Sequence, residues 1–244
     1  LSITKCNAIT FHRKLKPIIY DYTILNQQLE RVDHIRDLGV ILDPAFSFRL
    51  HYENIIAKAN RQLGFIFKLT KEFRDPLCLR SLYCALVRSI LESSSVVWCP
   101  YQITWTARIE AIQRRFVRQA LRGLPWRDPH NLPPYEDRCR LLGLETLEQR
   151  RFIGQVVFVG KILLGDIDSA EILNQLNLYA PERILRQRSF LQLESRRAIY
   201  GLHDPIRFMS ARFNEVYHIF DFNNSADTFH RRLQDRGTMA LASR

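Results

Sequence analysis

At Asp43–Pro44 the hydrophobic pattern of this chain changes its period, and that change restricts the possible folds more than any single motif does. Ahead of it, "AITF", "IIYDYTI", "LERVDHI" and "LGVILD" alternate and favour β-branched and aromatic residues, the signature of short strands and hairpins. Within them "LNQQ", between Ile24 and Leu29, reads as a turn in which Asn26 tolerates a left-handed backbone. Gly39 would let another element or a ligand approach the main chain. Beyond Pro44 the spacing becomes helical. With strands first and helices after, the expected fold is α+β, mainly α: N-terminal β-hairpins, then a helical bundle and a helical C-terminal extension.

The stretch 51–69 places Ile55, Ile56, Ala59, Leu63 and Ile66 on one side, with Lys58, Arg61 and Lys68 off that stripe. A second helix is expected over 76–92, opening at Pro76 behind the capping residue Asp75 and burying Leu79, Leu82, Tyr83, Leu86 and Ile90. The third runs from a cap-competent Thr104 to Gly123. Its Ile109, Ile112, Phe116 and Ala120 form one stripe; Arg108, Arg115, Arg118 and Arg122 form the nearly opposite one, which Arg114 borders. Pro125, Pro129, Pro133 and Pro134 then forbid a helix, so 124–134 reads as a stiff elbow. Helices are expected over 135–142, 145–164 and about 205–217, the rest of the tail having no clear pattern.

Charge narrows the function. Lys plus Arg outnumber Asp plus Glu by 36 to 25, a net +11, which suits a polyanionic partner, nucleic acid before an acidic membrane surface. Guanidinium groups at the spacing of the third helix reach successive phosphates along one strand, whereas the bland reading is a solvated helix face. Conventional catalytic patterns are missing. Asp166 and Asp168 in "GDID" read as a helix-end turn, the seven histidines are dispersed, Ser93, Ser94 and Ser95 have no neighbouring base, and the five cysteines form no C-x-x-C pair. Trp98, Trp105 and Trp126 could stack on bases but more often pack beside helix ends. No apolar run is long enough to span a bilayer, and the first residues read as the inside of a folded unit.

Taken in order, "LSITKCNAITF", "LERVDHIRDLGVILD", "HYENIIAKANRQLGFIFKL", "LYCALVRSILESSSVVWCPY", "RIEAIQRRFVRQAL" and "LPWRDPHNLPPYEDRCRLLGLETLEQRR" resemble the C-terminal part of the reverse transcriptase of non-LTR, LINE-like retrotransposons of the jockey type. The resemblance runs from residue 1 to about 230. It implies the end of the palm and a primer-grip-like hairpin over 1–48, a thumb-like bundle over 49–123, the elbow over 124–134, a helical extension over 135–178 and a basic, aromatic tail of unassigned fold over 179–244. Lys5 matches a palm lysine proposed to protonate departing pyrophosphate, and Leu38, Gly39 and Val40 match the hairpin that holds the primer end. Lys58, Arg61, Arg108, Arg114, Arg115, Arg118 and Arg122 would grip an RNA–DNA hybrid or template RNA. The family's catalytic aspartates and F/Y-x-D-D hairpin have no counterpart in the chain, so it should not polymerise DNA alone, and Mg2+ is implied only for the missing palm. Fingers and palm become the expected protein partner, with no membrane association and a nuclear location at the site of reverse transcription. Two other readings compete: a host-retained helical protein-interaction module and a degenerate copy without function.

Overall fold

The computed structural model describes residues 6–72, 75–122, 133–180, 189–195 and 204–242, the last with backbone only beyond Asp235. Helix accounts for 56% of the described residues and strand for 8%, an α+β protein that is mainly α. The described strands form three two-stranded pairs. β1 (Asn7–Ala8) pairs in parallel with β4 (Glu30–Arg31), β2 (Thr23–Ile24) antiparallel with β3 (Gln27–Gln28), and β5 (Ile35–Asp37) antiparallel with β6 (Val40–Leu42). Both hairpins turn in two residues at positive φ: Leu25 and Asn26 at 49° and 61°, Leu38 and Gly39 at 44° and 90°. Such turns match the right-handed twist of the flanking strands.

Asp43 ends the β region by fanning its carboxylate over the next turn, accepting the N–H groups of Ala45, Ser47 and Phe48 and the Ser47 hydroxyl. Burial alone would raise its pKa; these hydrogen bonds win and hold it below the usual carboxylate value.

The helices then build a first core. α1 (Arg49–Leu69) buries Tyr52, Ile55, Ala59, Leu63 and Ile66. α2 (Pro76–Tyr83) starts where Asp75 accepts the N–H groups of Leu77 and Cys78, and continues through a π-helical segment, Cys84–Arg88, into α3 (Ser89–Glu92). The expected stripe needs correction here. Leu86 is exposed, and the buried set is Leu79, Tyr83, Val87 and Leu91. A strict four-residue repeat drifts around an α-helix of 3.6 residues per turn, and the wider π turn brings it back to the core. α4 (Ser95–Trp98) delivers Trp98, whose indole donates to Ser93 O at 2.8 Å. α5 (Ile103–Ala120) begins one residue before the expected Thr104 cap: Gln102 is its N-cap and makes no side-chain cap. Gly123, Trp126 and the elbow up to residue 132 lie outside the described residues.

A second core forms around α7 (Leu147–Leu164), which follows α6 (Tyr135–Leu141). Thr146 caps α7 by accepting Gln149 N–H, and Gly165, at φ 78°, ends it. Leu147 belongs to the first core, whereas Ile153, Val156, Val159 and Ile162 enter the second. After α8 (Ala170–Leu173), the tail supplies α9 (Pro205–Val216), as expected, and a helix not foreseen, α10 (Ala226–Ala242). Both pack on α7. Phe190, Phe213, Phe220 and Phe229 join them as edge-on and tilted rings with centroids 5.1–6.2 Å apart.

Gly160 marks the tightest crossing, because a Cβ there would stand 3.2 Å from two ring carbons of the buried Phe229. Its ring is itself hemmed by Phe213 and Phe220. Gly160→Ala is therefore expected to destabilise the chain by about 1 kcal/mol despite alanine's better helix propensity, read as a lower urea midpoint at unchanged m.

Candidate nucleic-acid interface

α5 is amphipathic in an unusual way. Its inner face carries Ile109, Ile112, Phe116, Val117 and Ala120 into the first core, where Phe116 stacks on Tyr83 with ring centroids 4.1 Å apart. Among those apolar groups sit two buried polar ones, Glu110 and Gln113. Gln113 accepts from the Tyr83 hydroxyl at 2.9 Å and donates to the Tyr135 hydroxyl at 3.0 Å and Glu145 O at 2.8 Å. Glu110 accepts the Tyr135 hydroxyl and the N–H groups of Leu147 and Glu148, the last two at 3.0 and 3.2 Å, so it caps the start of α7 from another helix. Arg151, 2% exposed, lies 4.0 Å from Glu110. Burial, then the Glu110 charge and hydrogen bond, drive the Tyr135 pKa far upward, so its hydroxyl stays a donor.

This network holds the outer face in place. Arg108, Arg114, Arg115, Arg118 and Arg122 are all exposed, and among the described residues no acidic group lies within ion-pair distance of any of them. Aromatic rings seat three of the heads: Arg108 lies over Trp105 at 4.5 Å, Arg114 over Tyr135 at 4.9 Å and Arg115 over Phe67 at 6.0 Å. Arg122 donates to Gln119 Oε1 at 3.3 Å. A cation held over a ring keeps its outward N–H donors while losing little further freedom on binding. From Arg108 to Arg122 the row runs about 21 Å at 1.5 Å per residue. That equals roughly six nucleotides of one strand at ~3.4 Å axial rise.

The other expected residues are placed differently. Arg61 is exposed on α1, but Lys58 is half-buried, and its charge acts on His51. The hairpin tip presents Leu38, 92% exposed, and Gly39 to solvent, whereas Val40 is buried in the first core. Val40 is thus a packing residue, because alternation along β6 turns it inward. Lys5 lies outside the described residues. Asp166 is exposed behind α7, and among the described residues no group of three or more His, Cys, Asp or Glu side chains could hold a metal ion. No helix among them is long and apolar enough to cross a membrane.

His51 anchors the hairpin to α1, its Nδ1 accepting Ile41 N–H at 3.2 Å while its ring lies against Trp98. Burial, with Lys58 and Arg36 nearby, lowers its pKa from 6.5 to about 4. The unfolded chain therefore binds a proton here that the folded chain refuses, so this contribution to stability is complete above pH 6.5 and falls away as pH drops towards 4. The wild-type melting temperature should decline over that window, and His51→Asn, which retains an acceptor near Nδ1, should decline less steeply.

Sequence reasoning missed Glu110, Gln113, Tyr135 and Arg151. Gln113 offered a signal, since at about 100° per residue it falls inside the apolar stripe of α5, where a polar residue needs a buried partner. Glu110 offered none, standing at the edge of that stripe. No protein-family model matches the chain, and no curated protein or solved structure matches it either.

Proposed function

We propose that this chain grips a nucleic-acid duplex through the outer face of α5, as the thumb and C-terminal part of a non-LTR retrotransposon reverse transcriptase. The observation that carries the reading is the row of exposed arginines without acidic partners among the described residues, set on a helix whose opposite face is fixed by the first core. Arginine suits the task because its planar fork meets phosphate oxygens in pairs. The ligand is an RNA–DNA hybrid or template RNA. Its protein partner is the fingers and palm of the polymerase, which supply the catalytic carboxylates and their Mg2+, and its location is nuclear. The described β segment fits such a partner: Leu15, Ile18, Ile19, Tyr20 and Leu25 are all at least 60% exposed, an apolar strip beside short, open strand pairs.

That same strip is what favours the second reading, a protein-interaction module. Binding of the purified chain to a labelled RNA–DNA hybrid over a salt series separates the two. Affinity that falls steeply with salt and depends on Arg115 and Arg118 supports the grip; a folded chain that ignores the hybrid at low salt supports the module.

A further inference from the structure

A cleft of about 740 Å3 opens between the turn after β6, the start of α9, and residues 174–177 and 192–194. Its size lies inside the ~300–1,000 Å3 range of small-ligand sites. Its lining brings together two kinds of side chain: the aromatic Phe46, Phe48 and Tyr101, and Asn174, Asn177 and Gln192, whose amides make no hydrogen bond among the described residues and which are exposed. Among the described lining residues the charges balance, Arg13 and Arg207 against Glu194 and Asp204.

The aromatic part of the lining is held at a conformational cost. Phe46 and Phe48 take φ values of 51° and 56°, a left-handed region that bulky side chains rarely enter. The Asp43 carboxylate over-determines this turn by accepting from Ala45, Ser47 and Phe48, and Phe46 stacks on Phe11 with centroids 4.5 Å apart. Strain maintained by such a clamp is a common mark of a binding segment.

We propose that this cleft takes an unpaired nucleotide of a single-stranded nucleic acid, base first. A base is flat, neutral and amphipathic: its faces stack on aromatic rings and its edge offers donors and acceptors that side-chain amides match. The balanced charge suits a base and not a phosphate, which stays outside. A peptide strand fits less well, because the backbone beside those amides is already paired, Tyr179 N–H to Phe190 O and Gln192 N–H to Asn177 O. This inference rests on the nucleic-acid reading above but uses a surface separate from the arginine row.

The test is photo-crosslinking of the chain with a short oligoribonucleotide carrying 4-thiouridine, alongside affinities for that oligonucleotide and for the hybrid. Crosslinks are expected at Phe46, Phe48 or Tyr101. Asn177→Ala with Gln192→Ala should weaken single-strand binding about tenfold and leave hybrid binding unchanged, and Phe48→Leu, which keeps apolar volume, should weaken it similarly. Crosslinks confined to α5, or unchanged single-strand affinity in both variants while hybrid binding persists, overturn the inference and leave the cleft to a protein ligand. Failure of both nucleic acids to bind a folded chain overturns the duplex reading with it.

Discussion

Reversal of Arg115 and Arg118 to Glu is expected to weaken binding to an RNA–DNA hybrid by at least about tenfold near 100 mM salt and to flatten the dependence of log affinity on log salt by about two. Each guanidinium that neutralises a phosphate releases condensed counterion, contributing about 0.9 to the slope on a B-form duplex. Loss of two contacts changes the slope, and two new carboxylates add repulsion. Arg→Gln at the same positions isolates the first effect, with the same change in slope and a smaller loss of affinity. Neither variant should unfold the chain, because both side chains are exposed and no ion pair among the described residues is broken. Surface substitutions of this kind usually stay within about 0.5 kcal/mol. A double reversal that binds with wild-type affinity and slope would remove the arginine row from any account of function.

Glu110→Ala should be the most destabilising single change on α5. The carboxylate accepts the Tyr135 hydroxyl and the N–H groups of Leu147 and Glu148, and it is the acidic partner of the buried Arg151. Among the described residues Arg151 already carries two terminal nitrogens with no hydrogen-bond acceptor, so deletion of Glu110 leaves its charge without the one carboxylate described beside it. Removal of one partner from a buried pair costs about 3–5 kcal/mol. For a chain of this size that corresponds to a fall in melting temperature of roughly 6–20 °C. Glu110→Gln retains an acceptor for the start of α7 and should lose less. A loss below about 1 kcal/mol in Glu110→Ala would show that α5, α6 and α7 hold together without this network.

Glu110 and the Arg115–Arg118 pair, on the same helix, also mark the limit of what sequence can convey. Arg115 and Arg118 were legible because a solvent-facing row needs only the helical period to be seen. Glu110 was not, because its partners lie 25 to 38 residues away, and no local pattern pairs them. The π segment is a similar case. A sequence pattern assuming a regular helix put Leu86 inside, while the observed turn buries Val87 instead.

What the sequence by itself determined is the division at Asp43–Pro44, the hairpins before it, the main helices after it and the basic face of α5, all consequences of periods two and 3.6 and of charge. Tertiary structure alone decided that α9 and α10 close over α7, that Val40 packs inward, and that the Phe46–Phe48 turn faces a cleft lined by Asn174, Asn177 and Gln192. The physical reason is range. Backbone periodicity is set by neighbours along the chain, whereas burial of a polar side chain or strain at a left-handed phenylalanine persists only when groups far away in sequence arrive to compensate it.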